Sequence, residues 1–443
     1  MHKLVSILTF LTICLSGCSN INTPLNPALE SFERVDDYDY GLANLEGANS
    51  HSVTFTQDGF TWPSVDQDAD TAFLELFLLR SSGLYPAIEI NAGGTSLNQY
   101  FEQGGQGRRY LDVSPLLQAN LEPGEFVRVT GSGAAWYSGR ATLVAFRNPP
   151  LEDRRVLIVA PHPDDAEIAA FGVYQTANAD VVTVTAGDAG GFNFISLWPD
   201  AGEHYRAKGK IRTLDSLTVP LLAGLQPNAI RNLGYYDATL RQLWLARPNS
   251  VAPPLAVLQD PGFYRRLNFD AELRERKFES TWQALVADLR RELERVQPEI
   301  VFAPHPRLDR HLDHQFTALA LFEALSERGE DSEIYLYTNH AIGNEAFPLG
   351  HRQGMTGLPA WRGEGLHLKR LYSHLLTDED QRMKLVALEA MHDLRPFDLR
   401  DGNDVETVPV IYDYFRRAAR PNEIFFVTNL DGARAIYNEF FEQ

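Results

Sequence analysis

The apolar run Val156-Leu157-Ile158-Val159 leads without a break into Ala160-Pro161-His162-Pro163-Asp164-Asp165, and this junction constrains the fold more than any other stretch. Consecutive apolar residues without polar alternation read as a strand covered on both faces, as in a parallel sheet. A histidine and two adjacent carboxylates then crowd onto one turn. Unpaired charges in such a place are strongly disfavoured, so a divalent cation is expected to compensate them. His162 and Asp165, three apart, would face one point, with Asp164 left for proton transfer. A second cluster, His311-Leu312-Asp313-His314, supplies the rest of a coordination shell.

Downstream the same grammar repeats. Residues 181–186, 300–303 and 334–338 are further apolar or β-branched runs. Within 271–296, Phe278, Leu285, Leu289, Leu293 and Val296 lie at the spacing of one helical stripe, which Pro298 closes. Thr377-Asp378-Glu379-Asp380 resembles a capping box opening a helix to about His392. The expected fold is α/β: a Rossmann-like, mostly parallel sheet with helices on both faces. Its sites belong at the carboxyl ends of strands, where both motif clusters fall. Residues 190–209, 249–268 and 343–365 read as long loops, the usual lids or substrate walls.

Ahead of it, residues 51–150 carry short strand candidates at 52–56, 72–79, 87–91, 109–113, 126–131 and 141–147, separated by Gly, Asn and Pro. They predict a small antiparallel β-sandwich, jelly-roll-like, closed by Pro149-Pro150. The chain begins with Met1-His2-Lys3, an apolar run over 4–15 and Leu15-Ser16-Gly17-Cys18. That run falls short of the roughly 20 residues needed to span a bilayer and reads as an export signal. The tetrad resembles a bacterial lipobox, with Cys18 as the lipidated residue and Ser19 matching outer-membrane sorting. The expected plan is a signal peptide at 1–17, a lipidated tether at 18–50, the sandwich at 51–150 and a catalytic domain at 151–443. The expected location is the outer membrane, on its periplasmic or surface face, held by the lipid on Cys18. Cys14 and Cys18 are the two cysteines, so the mature chain excludes disulfides and thiol catalysis. With 40 basic and 59 acidic side chains, a net charge of −19 disfavours nucleic acid as a partner. The sequence leaves the oligomeric state open.

His162, Asp165 and His314 form a two-His, one-carboxylate set that suits catalytic Zn2+ and also accepts Fe2+. Asp164 is the natural general base, a role worth roughly 10²–10⁴-fold. His305 and Asp309, in the same loop as the second cluster, are competing ligand candidates. His340 reads as pocket-lining, and Asp188 as a loop-anchoring or substrate-side carboxylate. His204, His351 and His374 read as ordinary loop or surface histidines. Trp62, Tyr100, Trp136 and Tyr137 are either sandwich core or sugar-stacking rings.

Taken together, these residues carry a resemblance. The run at 160–165 with Gly172, the strand and loop at 182–190, Arg212-Thr213-Leu214-Asp215, Leu233-Gly234-Tyr235-Tyr236-Asp237 and His311-Leu312-Asp313-His314 resemble the LmbE/PIG-L family of zinc-dependent N-acetylglucosaminyl de-N-acetylases. The likeness spans residues 154–392, with Asp215 in place of Glu and Leu312 where Pro is usual. It implies His162, Asp165 and His314 as zinc ligands and Asp164 as general base. It also implies that His311 stabilises the oxyanion and protonates the amine, that Asp313 orients a histidine of that pair, and that Arg212 contacts substrate. The implied reaction is attack of zinc-bound hydroxide on the acetamide of an N-acetylated saccharide, in a glycan or glycoconjugate. Two other readings stay open: a carbohydrate-binding surface lipoprotein without turnover, and an O-deacetylase or amidase using the same metal site.

Overall fold

The computed structural model describes residues 37–191, 197–329, 332–342, 347–392 and 417–442. The expected signal peptide, Cys18 and most of the expected tether lie outside the described residues.

The N-terminal part is built from β1 (Asn49–Phe55), β2 (Gly59–Thr61), β3 (Thr71–Ser81), β4 (Ala87–Ala92), β5 (Thr95–Tyr100), β6 (Gly107–Asp112), β7 (Phe126–Ser132), β8 (Ala134–Trp136) and β9 (Gly139–Phe146). One antiparallel sheet runs β1-β9-β3-β6 with β8 beside β3, and the pairs β2-β7 and β4-β5 form the opposing layer. Leu74, Leu76 and Leu78 of β3 point into the space between the layers, with Trp62 and Trp136. Alternate residues of that strand face the other way, which is what a two-layer sandwich requires.

The α/β part follows as β10 (Arg155–Ala160), α1 (Asp165–Thr176), β11 (Asn178–Thr185), α2 (Ala201–Thr218), β12 (Ile230–Tyr235), α3 (Leu240–Leu245), α4 (Ala271–Glu275), α5 (Trp282–Val296), β13 (Ile300–Pro304), α6 (Leu312–Arg328), β14 (Glu333–Tyr337), β15 (Arg370–Leu375), α7 (Asp378–Ala390), β16 (Asn422–Thr428) and α8 (Leu430–Glu442). The strand order is β12-β11-β10-β13-β14-β16-β15. The first five are parallel, and β16 runs against both its neighbours. Leu157 and Val159 of β10 enter one core with Leu285, Leu289 and Leu319, on the side of α5 and α6. Val156, Ile158 and Ala160 enter the other core with Phe171 and Leu388, on the side of α1 and α7. Burial on both faces explains the unbroken apolar runs. Each fully buried aliphatic side chain contributes roughly 1.5–3 kcal/mol.

Several local expectations change. The stripe over 271–296 is two helices, α4 and α5, and Phe278 lies in the connection between them. Thr281 accepts the Ala284 N–H and starts α5 afresh, while Arg276 is tied to Glu272 and Asp288. A hydrophobic period cannot register that break, but the capping threonine could have. Half of the expected loop at 190–209 is the start of α2, whose N-cap Asp200 accepts the Glu203 N–H. The expected tether is packed from its described part onward: Tyr38, Tyr40 and Leu42 are buried, and Tyr40 stacks on Phe426 with ring centroids 5.8 Å apart. The strand β1 already begins at Asn49. The capping box at Thr377 and Asp380 is present at the start of α7.

Helix α1 is kinked at Ala170 (φ −143°, ψ 25°). Beyond the kink, the carboxylate of Glu423 from β16 accepts the Gly172 and Val173 N–H groups, and Lys384 of α7 neutralises it at 2.8 Å. The two layers of the N-terminal part close over the sheet at β15 and β16. Phe73, Tyr110, Val144 and Phe146 share a core with Leu371 and Phe426. Asp112 accepts hydrogen bonds from Ser373 and Asn422. The edge strand β15 is thereby covered, removing an exposed template for pairing.

Candidate metal centre and active site

The chain runs outward from β10 through β11 to β12, then returns to place β13 on the opposite side of β10. That reversal is the topological switch point, where open α/β sheets leave a crevice at the carboxyl ends of their strands. The turn after β10 is pinned there, its Pro161 carbonyl accepting both the backbone N–H and the hydroxyl of Thr185 at 2.9 Å. Asp164 sits at φ 130°, a conformation that bulky residues rarely adopt and that favours glycine. Asp165 then opens α1.

Three candidate ligand atoms meet in this crevice. His162 Nδ1 lies 3.1 Å from Asp165 Oδ2 and 3.2 Å from His314 Nε2, and His314 Nε2 lies 3.1 Å from Asp165 Oδ2. Zinc bound at about 2.0–2.1 Å in a tetrahedral site separates its ligands by about 3.3 Å, so this triangle has the size of one face. The far side of each imidazole faces a carboxylate. His162 Nε2 is 3.1 Å from Asp237 Oδ1 and 3.4 Å from Asp313 Oδ2. His314 Nδ1 is 3.0 Å from Asp309 Oδ2. Each ring therefore donates its outer N–H and turns a lone pair toward the other ligands, the arrangement of metal-binding histidines. Asn339 donates to Asp165 Oδ1 at 2.8 Å, leaving Oδ2 for the centre.

Burial alone would lower the His314 imidazole, but Asp165 and Asp309 outweigh it and lift it to about 10. His162 is likewise lifted by Asp237, Asp165 and Asp313 against its burial. Burial would raise the Asp165 carboxyl, yet His314 and His162 hold it well below the ordinary range. The frame attracts positive charge, which two histidines and a carboxylate share with zinc or iron(II) as ligand chemistry. The donor set fits the implied metal.

Around it, the structure places the remaining predicted residues. Asp164 Oδ2 accepts from Arg212 Nη2 at 2.9 Å, and the same nitrogen donates to the Pro163 carbonyl at 2.8 Å. Arg212, expected at the substrate, is thus buried as the partner of Asp164. His311 stands at the N-cap of α6, its ring centroid 4.8 Å from His162 and 4.9 Å from His314. Burial, with the charge on His162 and His314, lowers its imidazole to about 4. Its Nδ1 has no hydrogen-bond partner among the described residues. Asp313 accepts the Ala238 and Leu240 N–H groups as well as facing His162, so it ties α3 to the centre. Asp188 is fully buried and accepts the Asp237 N–H at 2.8 Å, anchoring that loop from behind. Burial raises its carboxyl to about 7. The His340 ring lies 5.1 Å from His314 and 5.5 Å from His311, and burial lowers it to about 3.

The two competing ligand candidates stand elsewhere. His305 is buried, and its Nδ1 accepts the Arg307 N–H. Asp309 supports His314 from behind. Of the aromatic candidates, Trp62 and Trp136 are sandwich core, Tyr137 is 59% exposed, and Tyr100 is wedged against Gly350 and Gly354. Sequence reasoning assigned no role to Asp237 and none to Asn339. The acidic end of the 233–237 segment was the visible signal for Asp237, whereas nothing local marks Asn339.

No curated protein matches the chain. Among solved structures, it is similar to the A40926 pseudoaglycone deacetylase Dbv21, at 19% identity over 62% of this chain and 96% of that one, with a TM-score of 0.35. The zinc-inhibited form of teicoplanin deacetylase Orf2 shows 17% identity over 62% and 97%, with a TM-score of 0.36. The 4-carboxy-2-hydroxymuconate hydratase GalB from Pseudomonas putida shows 14% identity over 62% and 95%, with a TM-score of 0.33. Residues 157–325, which carry both halves of the ligand triangle, match the PIG-L family, described as GlcNAc-PI de-N-acetylase.

Proposed function

We propose that this chain is a metal-dependent hydrolase that removes the N-acetyl group from an N-acetylated amino sugar in a glycan or glycoconjugate. The observation that carries this reading is the triangle of His162, Asp165 and His314, 3.1–3.2 Å on each side, beside a carboxylate outside it, Asp164. The match of residues 157–325 to a de-N-acetylase family supports the choice of bond. A zinc ion, or iron(II), held by these three residues would supply Lewis acidity, polarising a carbonyl and making water nucleophilic near neutral pH.

The chain's own residues do the rest. Asp164, fixed by Arg212, takes the proton of the attacking water. His311, whose Nδ1 has no hydrogen-bond partner among the described residues, donates to the developing oxyanion, and the proton that Asp164 takes from water passes on to the departing nitrogen, so both side chains end as they began. The C–N bond breaks, leaving acetate and a free amine. Asp313 and Asp237 keep His162 oriented throughout. The lipobox-like tetrad ending at Cys18 supports a saccharide outside the cytoplasm as substrate, with the enzyme held to the membrane by lipid.

Acetate and free amine are to be measured together on a panel of N-acetylhexosamine oligomers. Equal amounts of both are expected. Chelation, reversed by zinc, and Asp164→Ala should each remove at least about 10²-fold of the rate. Turnover that survives both treatments would overturn the mechanism. Acetate without amine would move the activity to an ester, and binding without acetate would leave a lectin-like protein.

A further inference from the structure

Asp309 lies five residues ahead of His314, between β13 and α6, and is fully buried. Its Oδ1 accepts the His311 N–H at 3.0 Å. Its Oδ2 faces His314 Nδ1 at 3.0 Å and accepts the backbone N–H groups of Asn339 at 2.9 Å and His340 at 3.1 Å. One carboxylate therefore joins the loop after β13 to the end of β14. Asn339, held there by its backbone, turns its side chain to Asp165, donating to Oδ1 at 2.8 Å and to the main-chain carbonyl at 3.2 Å. Asp309 thus touches one ligand directly and a second through a single residue.

We propose that Asp309 is the positioning residue of the metal centre. It holds His314 in the tautomer protonated at Nδ1, so that the Nε2 lone pair faces His162 and Asp165. With Asn339, it also keeps Asp165 presenting one oxygen instead of two. This rests on reading the triangle as a metal site. A carboxylate can only accept a hydrogen bond, so it enforces that tautomer. An asparagine has a single accepting oxygen for these donors, so its amide N–H meets either the His311 N–H or the N–H groups of Asn339 and His340 beside Nδ1, and the charge that favours Nδ1–H is lost. Outer carboxylates on metal-bound histidines are worth about 10–100-fold in metal affinity.

The test uses the full chain with Zn2+ and Co2+ alone, without substrate. Affinities come from competition with a chelating indicator, and coordination from the cobalt d–d spectrum. Asp309→Asn is expected to weaken both metals by about 10–100-fold while the metal-free protein melts near the native temperature. Affinity equal to that of the native protein would overturn the proposal. Should the variant fail to fold, Asn339→Ala decides. A weaker, shifted cobalt band, from Asp165 binding through both oxygens, would support the strut, and an unchanged band would overturn it. Native protein that binds neither metal would instead sink the metal-site reading itself.

Discussion

Asp164 shows how much a single residue carries here. The turn from β10 into α1 forces its backbone to φ 130°, and the strain is held by Thr185 on one side and Arg212 on the other. Strain of this kind costs on the order of 1–3 kcal/mol and persists where the surroundings over-determine it. His311 is the complementary case, a residue with few partners of its own. Its ring is packed among His162, His314 and His340 but makes no hydrogen bond through Nδ1 to the described residues. Substituting His311→Gln should therefore lower kcat by roughly 10²–10⁴ while metal content stays at the native level. Loss of metal together with activity would place His311 among the ligands and contradict the division of roles.

At the scale of elements, helix α1 carries Asp165 of the triangle at its start and depends on β16 further along. The kink at Ala170 frees the N–H groups of Gly172 and Val173, and Glu423 receives them. Lys384 balances that carboxylate in a pair whose side chains are 1% exposed on each side. Removing one partner of a buried pair leaves an uncompensated charge, at a cost of about 3–5 kcal/mol. Lys384→Met should lower stability by that amount in denaturant unfolding, with Lys384→Met/Glu423→Gln recovering part of it. A single variant as stable as the native chain would show that the pair does not support the kink. The sequence announced α7 through its capping box but gave no sign of the kink, because the partner for the freed N–H groups lies about 250 residues away.

Across the whole molecule, the N-terminal layers are part of the structure that supports the sheet. Asp112 is the joint: it is fully buried and bonded to Ser114, Ser373 and Asn422, neutral donors all among the described residues. Burial raises its carboxyl above the ordinary range against those hydrogen bonds. Its folded pKa thus exceeds the unfolded one, so its contribution is complete below about pH 3.9 and declines as the pH rises through the folded value. Asp112→Ala leaves buried donors without partners, at about 1–3 kcal/mol each. Urea unfolding should show a loss of roughly 3 kcal/mol, and Asp112→Asn should flatten the pH slope. Stability unchanged in the alanine variant would mean that the two parts do not depend on this contact.

The sequence by itself determined the residue types of the candidate centre, the carboxylate beside them and the α/β class. Each is written in a short window: an unbroken apolar run, a turn of His-Pro-Asp-Asp, a second cluster behind another strand. Tertiary structure alone decided which carboxylate stands behind which histidine, that Arg212 serves Asp164, and that residues 37–48 and the sandwich close over β15 and β16. Those pairings join strand ends and layers far apart in the chain, and they exist only because the strand order β12-β11-β10-β13-β14-β16-β15 sets them side by side.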